Sequence, residues 1–205
     1  MEAAIRPARR LTRAEQVERN RGRLLAAARE AFLERGYAGA SLETISERAG
    51  FSKGVVYSRF ASKADLFLAL LERRIEERAR HNEDAVRGHA PAEAFARLLE
   101  RVAEDQLSAQ RWGLVVIEFR AHAARDPELN ARYARLHEVT LTRLAGLLAR
   151  LYQELGTEPP AEPRVLAEFV VGAGNGLFLE LALRPGSPTD AFTALVLRAL
   201  GVAER

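Results

Sequence analysis

Residues 52–59 read Ser-Lys-Gly-Val-Val-Tyr-Ser-Arg, which gathers hydroxyl, ammonium and guanidinium donors within about two helical turns. The chemistry such a run suits is the binding of phosphates and base edges. Ser52 is a suitable N-cap for a short helix. The free backbone N–H groups of that first turn, together with Lys53, converge where a phosphate or a base edge would sit. Gly54 lets the backbone come close to a nucleic acid. Tyr57, Ser58 and Arg59 follow, each able to donate to phosphate. Lys63 stands in the first turn of the next helix, where a cation opposes the helix dipole. A broken local preference of this kind often marks function. The bland alternative is a small helical bundle whose polar residues merely face water.

Two helices must position these groups. Leu24, Leu25, Ala28, Phe32 and Leu33 recur at helical spacing, and Gly36 follows as a stop. Ser41 precedes Leu42, Ile45 and Ala49 on one face of a second helix, which Gly50 ends. The turn Gly50–Phe51–Ser52 leads to a third helix, Lys53 to Phe60, and Ser62 caps a fourth with Leu66, Phe67, Leu70, Leu71 and Ile75 as its apolar face. Two short helices joined by a tight turn have the length pattern of a helix-turn-helix. Further helices are expected at about 91–109, 111–124, 127–155, 163–183 and 189–202, several opened by Pro91, Asp126–Pro127, Pro163 and Thr189. About nine helices with short connectors predict an all-α fold.

The charge is uneven. Residues 1–63 hold thirteen Lys and Arg against seven Asp and Glu, whereas residues 64–205 hold eighteen against twenty-one. A basic third joined to a mildly acidic remainder fits a polyanion partner, or a solubilising arm. Only two of the basic residues are Lys, Lys53 and Lys63, and both fall in the segment above. The chain has no Cys, which excludes disulfides, Cys-ligated zinc and thiol chemistry. No apolar run approaches the about 20 residues of a membrane span, and the first 23 residues, with seven Arg, lack a signal-peptide core. A cytoplasmic protein is the expectation, with no membrane partner.

Gly36-Tyr37, Ser41-Leu42-Glu43-Thr44-Ile45-Ser46, Ala49-Gly50-Phe51-Ser52-Lys53-Gly54-Val55-Val56-Tyr57, Phe60, Lys63 and Leu66 together resemble the helix-turn-helix motif of the tetracycline-repressor (TetR) family of bacterial regulators. The resemblance covers about a quarter of the chain. It implies that Ser41 is the helix-start hydroxyl that meets phosphate. Lys53, Gly54 and Val55 take the groove-facing places, and Tyr57 and Lys63 take the places of phosphate clamps. The sequence departs from the family pattern at Ala40, Ser46, Phe51 and Arg59. Arg59 could hold phosphate or read a guanine with its paired donors. Glu43 could accept from cytosine or act as a helix-start carboxylate. Arg6, Arg9, Arg10 and Arg13 form a basic arm that reaches phosphates or the minor groove, or a loose tail.

For the rest of the chain the resemblance implies a helical domain that binds a small molecule and forms a homodimer on a double-stranded operator. The expected division is an arm at 1–20, a DNA-binding domain at 21–80 and a ligand-binding and dimerisation domain at 81–205. Trp112 to Phe119 is apolar apart from Gly113 and Glu118, which predicts a buried helix. Glu118 with His122 four residues on is either a polar anchor in a ligand pocket or a structural pair. Phe95, Leu99, Trp112, Phe119, Tyr133, Asn175 and Phe178 are the other candidate pocket residues. The resemblance places the dimer interface on the last two helices, at Phe169, Ala173, Leu177 and Leu181, then Phe192, Leu195 and Val196. Gly172, Gly174 and Gly176 would weaken a helix unless close helix contact compensates.

Rival readings are weaker. Residues 170–176 look like a dinucleotide-binding glycine loop with Asp190 at a suitable distance, but Leu177 takes the third glycine's place. Too little chain follows to complete a doubly wound sheet. The four His residues, at 81, 89, 122 and 137, show no metal-binding helical pair, so neither a metal, a cofactor nor an enzymatic activity is expected. An architectural DNA-binding factor or a repressor without a ligand remains a second reading, made less economical by the large acidic helical part.

Overall fold

The computed structural model describes residues 12–108, 110–184 and 190–202. Among them it contains nine helices and no strand, the all-α fold expected. They are α1 (Arg13–Gly39), α2 (Leu42–Ala49), α3 (Lys53–Tyr57), α4 (Lys63–Val86), α5 (Pro91–Ser108), α6 (Gln110–Ala123), α7 (Pro127–Leu155), α8 (Pro163–Leu183) and α9 (Asp190–Ala199).

Local chemistry sets most of the ends. Thr12 and Glu15 form a reciprocal capping box that starts α1 at Arg13. Residues 13–20, expected in a basic arm, are therefore the first turns of a helix, while Arg6, Arg9 and Arg10 lie outside the described residues. Asp126 accepts from the N–H groups of Glu128 and Leu129 with Pro127 in the first helical position, which opens α7 at its expected place. Gly36 does not end α1. It kinks the helix at φ 69°, ψ 176°, and the chain turns helical again to Gly39.

Two apolar clusters organise the helices. The first joins α1, α2 and α3 to the start of α4, and also takes in Trp112, Val115 and Phe119 of α6 and Leu129 of α7. Its centre is aromatic: the Phe67 and Phe119 rings are 4.3 Å apart, and Tyr37 meets Phe119 edge-on at 5.0 Å. The second cluster joins α5, α7, α8 and α9 around Phe95, Leu98, Leu148 and Leu151. Along α4 the packing passes from the first cluster, up to Ile75, to the second, at Val86. α4 itself runs unbroken through residue 80, and α6 belongs to the core of the first three helices.

Candidate nucleic-acid interface and cavity

The helix-turn-helix is built by three devices. Ser41 caps α2, its hydroxyl accepting from the Thr44 N–H at 3.2 Å. Gly50 ends α2 in the left-handed conformation, φ 70°, which turns the chain sharply towards α3. Val56, fully buried, pins α3 to the core. With Val56 inward, Lys53, Gly54, Val55, Tyr57, Ser58 and Arg59 all lie on the exposed side, as does Ser52 at the cap. A Cβ at Gly54 would meet nothing within 4 Å, so the backbone there is open to close approach. α3 is shorter than expected: it ends at Tyr57, with Ser58 as its C-cap.

Contacts not anticipated from the sequence hold this unit in shape. The Arg23 guanidinium of α1 donates to the Ala49 carbonyl at 3.0 Å and lies 5.1 Å over the Phe51 ring, bracing the turn from behind. Ser46, where the family pattern has Ala, is buried and donates to the Glu43 carbonyl at 2.7 Å. The Tyr57 hydroxyl donates to Glu43 Oε1 at 2.9 Å. Glu43 is held below the usual carboxylate range, first by its own backbone N–H and then by this bond. Glu43 thus orients Tyr57 across the face of the motif.

Lys63 is placed differently from its neighbours. Its ammonium donates to the carbonyls of Tyr37, Ala38 and Ala40 at 2.7, 3.1 and 2.9 Å, and lies 4.6 Å over the Tyr37 ring. Burial holds its pKa below the ordinary lysine value, against the pull of Glu118. The cation that seemed misplaced at the start of α4 therefore caps the end of α1, where carbonyl dipoles favour it. All three of its donors are committed there instead of facing outwards as a phosphate clamp would.

Glu118 and His122 also sit apart from their expected place. Glu118 is solvent-exposed rather than enclosed in an apolar pocket, and its Oε2 accepts from the Tyr37 backbone N–H at 2.7 Å. His122 is exposed as well, its ring 5.3 Å from that of Tyr37. Both belong to the junction of α6 with the kink in α1. α6 is accordingly not buried all round, with Leu114 40% exposed.

A cavity of about 120 Å³ lies where α4, α6, α7 and α8 meet. α4 lines it with Leu71, Arg74, Ile75 and Arg78. α6 contributes Trp112, Gly113, Val116, Ile117 and Arg120. Tyr133, His137 and Thr140 come from α7, and Val171 and Asn175 from α8. Of the expected pocket residues, Trp112, Tyr133 and Asn175 are therefore brought together. Phe119 is buried in the aromatic cluster at the first core instead. Phe95 and Leu99 are buried in the second core, Phe95 packing edge-on to Tyr152 at 4.9 Å. The side chain of Phe178 lies outside the described residues. Arginines at 74, 78 and 120 were missed because an apolar-face search passes over charged residues whose stems lie along a helix.

The outer face of α8 carries Val165 (49% exposed), Phe169 (43%), Leu179 (44%) and Leu183 (77%) at helical spacing. Gly172 and Gly176 complete the same stripe, and a Cβ at either would meet nothing within 4 Å. Leu195 of α9 is 64% exposed, whereas Val196 is turned into the second core at 5%. Ala173, Leu177 and Phe192 are partly buried, and the side chain of Leu181 lies outside the described residues. No helix among the described residues is long and apolar enough to cross a membrane, and no group of three or more His, Asp or Glu there could hold a metal ion.

Comparison with known proteins covers both halves. A family model described as bacterial regulatory proteins, tetR family, matches residues 24–70. A second, described as BetI-type transcriptional repressor, C-terminal, matches residues 91–202, more than half of the chain. The transcriptional repressor AcnR of Corynebacterium glutamicum is 28% identical over 181 residues, 86% of this chain and 88% of that protein. The transcriptional activator FasR of Mycolicibacterium smegmatis is 48% identical over 59 residues, but the match spans 29% of this chain and only 27% of FasR. Among solved structures, FadR of Bacillus subtilis in complex with stearoyl-CoA has a TM-score of 0.72 at 19% identity, covering 87% of this chain and 96% of that one. A transcriptional regulator from Rhodococcus has a TM-score of 0.70 at 25% identity, covering 88% and 94%. These matches carry no enzyme class with them. With a helix-turn-helix that turns its donors outwards and a family match over each half, the chain belongs to the TetR family of DNA-binding transcriptional regulators.

Proposed function

We propose that the protein is a homodimeric repressor that leaves a palindromic operator when a small molecule fills the cavity. The observation that carries this reading is that two helices, α4 and α6, both line the cavity and hold the end of α1. α4 does so through Lys63, and α6 through Glu118. A ligand that pushes α4 and α6 apart therefore moves the frame on which α2 and α3 sit. It acts only by binding the DNA-free arrangement better than the DNA-bound one. The exposed stripe on α8, with Leu195 beside it, supplies a two-fold face for a second copy, so that two α3 helices address successive major grooves. Lys53, Gly54, Val55, Tyr57, Ser58 and Arg59 are the residues placed in the groove, with Ser41 and Ser52 near phosphate.

Repression is favoured over activation because the C-terminal half matches a repressor-type model and AcnR matches along both halves, whereas FasR matches over the helix-turn-helix alone. The test is selection of genomic fragments by the purified protein, followed by titration of the best fragment against salt. A palindrome bound at about nanomolar strength with a steep salt slope is expected. Sequence-blind binding would favour an architectural role and overturn the proposal.

A further inference from the structure

The donor surface around α3 has an acidic group set into it. The Glu43 carboxylate, in the first turn of α2, accepts the Tyr57 hydroxyl at 2.9 Å. Its own backbone N–H holds it as well, and the charge of Lys53 reaches it. Glu43 therefore shares the face of Lys53, Val55 and Tyr57, on which Val55 is 38% and Tyr57 48% exposed. Those contacts keep its carboxyl below the usual range, so it is ionised at neutral pH.

A phenol has one proton to donate, and Tyr57 gives it to Glu43. The phosphodiesters of DNA carry no proton. A phosphate can therefore meet the Tyr57 hydroxyl only by taking that hydrogen bond away from Glu43. It would then stand about 6 Å from a second anion, the span of two hydrogen bonds of about 3 Å each. Two acceptors compete for one donor, so phosphate contact at this point is penalised whatever the sequence. A base edge that offers an amino group meets the opposite situation. It donates to the carboxylate and leaves the bond to Tyr57 intact, because a carboxylate has about four acceptor sites.

The major groove presents two such amino groups, cytosine N4 and adenine N6. Adenine N6 lies between two acceptors, its own N7 and thymine O4, and both repel a carboxylate. Cytosine N4 has an acceptor on one side only, the guanine O6. An anion at this place therefore favours cytosine.

We propose that Glu43 is a specificity-determining residue of this regulator: it reads a cytosine amino group in each half-site and, through its hold on the Tyr57 hydroxyl, disfavours DNA that offers phosphate alone. The inference rests on the placement of α3 in the major groove, and the experiment separates the two. Full-length wild type, Glu43→Ala, Glu43→Gln and Tyr57→Phe would be titrated at low salt with the selected operator fragment, with fragments carrying each other base pair at each position, and with random-sequence DNA. Circular dichroism and thermal unfolding show that each variant folds. In wild type, replacing one symmetric pair of cytosines by thymine should cost about fivefold or more in affinity. Glu43→Ala should abolish that penalty and keep the others. It should also bind random DNA about threefold more tightly per protomer, which is the repulsion of two unit charges about 6 Å apart in water. Glu43→Gln, whose amide pairs with adenine N6 and N7, should move the preference at that position from cytosine to adenine. Tyr57→Phe, which unties the carboxylate, should shrink the same penalty and lower operator affinity more than random-DNA affinity. Glu43→Ala weakening operator and random DNA by one common factor would mark Glu43 as a support of α2 alone and overturn the proposal, as would Glu43→Ala keeping every base penalty of wild type. Tyr57→Phe weakening both DNAs equally would return the hydroxyl to phosphate and overturn it too. Wild type binding operator and random DNA alike would overturn the groove placement itself, and this inference with it.

Discussion

The Glu118 carboxylate accepts the backbone N–H of Tyr37 at 2.7 Å, joining residues 81 positions apart in the chain. The bond is possible because Gly36, next to Tyr37, bends α1 at φ 69°, ψ 176°, a conformation that is essentially glycine's alone. It also leaves no room: a Cβ at Gly36 would lie 2.7 Å from Glu118 Oε2. The glycine in the family motif thus has two jobs here, to kink α1 and to admit a carboxylate from the helix that lines the cavity. α6 carries Arg120 towards the cavity and Glu118 towards the DNA-binding unit, so displacement of one moves the other.

Gly36→Ala should therefore destabilise the protein on two counts. The backbone strain alone costs about 1–3 kcal/mol, and the contact with Glu118 adds to it. In a Glu118→Ala background the contact part disappears while the strain remains. Urea denaturation of the four proteins should give a coupling energy of about 0.5 kcal/mol or more between the two sites. Additive effects would mean that Glu118 does not rest on the kink.

Lys63→Met tests the cap at the end of α1. Removing an ammonium that donates to three carbonyls should cost about 1–2 kcal/mol, the carbonyls being near enough to solvent for water to replace part of the loss. For a chain of this size that is a fall of a few degrees in Tm. The slope of log affinity against log salt should change less than for Lys53→Ala, which faces outwards and is expected to lower it by about one. A full unit lost at Lys63 with Tm unchanged would return it to the phosphate-binding set.

His137 gives a pH dependence with a definite sign. Its folded pKa lies below the ordinary value of 6.5, so the unfolded chain takes up the proton more readily. Stability is then complete above about pH 6.5 and falls as the pH drops from there towards the folded pKa. Wild type should lose more stability than His137→Gln between pH 7 and pH 5, measured by urea midpoints. An equal loss would show that the imidazole is not shielded by burial and by Arg120.

How far the sequence leads differs between the two halves. The helix-turn-helix is a local device: Ser41, Gly50 and Ser62 act within a few residues of where they stand, and Ser52 holds the cap position of α3 although its hydroxyl makes no capping bond, so spacing alone located α2, the turn and the face of α3. α7 and α8 were likewise placed by Asp126, Pro127, Pro163 and Gly156. The cavity is not local. Periodicity identifies a buried face but not which neighbour it meets, so Phe95, Leu99 and Phe119 looked like lining until packing placed them in two cores. Glu118 and Lys63 were noticed for breaking a local pattern, yet their partners, Tyr37 and the end of α1, lie 81 and 23 to 26 residues away. The first stood out as a carboxylate in an apolar run and the second as a cation at a helix start, and neither signal could tell a ligand from a backbone group.

The glycines of α8 separate two expectations that differ in sign. In an isolated protomer, Gly172 and Gly176 face open space, and replacing a solvent-facing helical glycine by Ala stabilises by up to about 1 kcal/mol. In a dimer that brings two copies of α8 together along Val165, Phe169, Leu179 and Leu183, the same glycines allow close helix approach, and a methyl at the crossing forces the helices apart. Gly172→Ala with Gly176→Ala should then raise the dimer dissociation constant about tenfold or more, seen by analytical ultracentrifugation, while the monomer remains as helical as wild type or more so. Operator affinity should fall with the dimer, because one α3 helix reads only half of a palindrome. A double variant that is more stable and equally dimeric would move the two-fold face off this stripe, leaving Leu195 on α9 as the next apolar position to test.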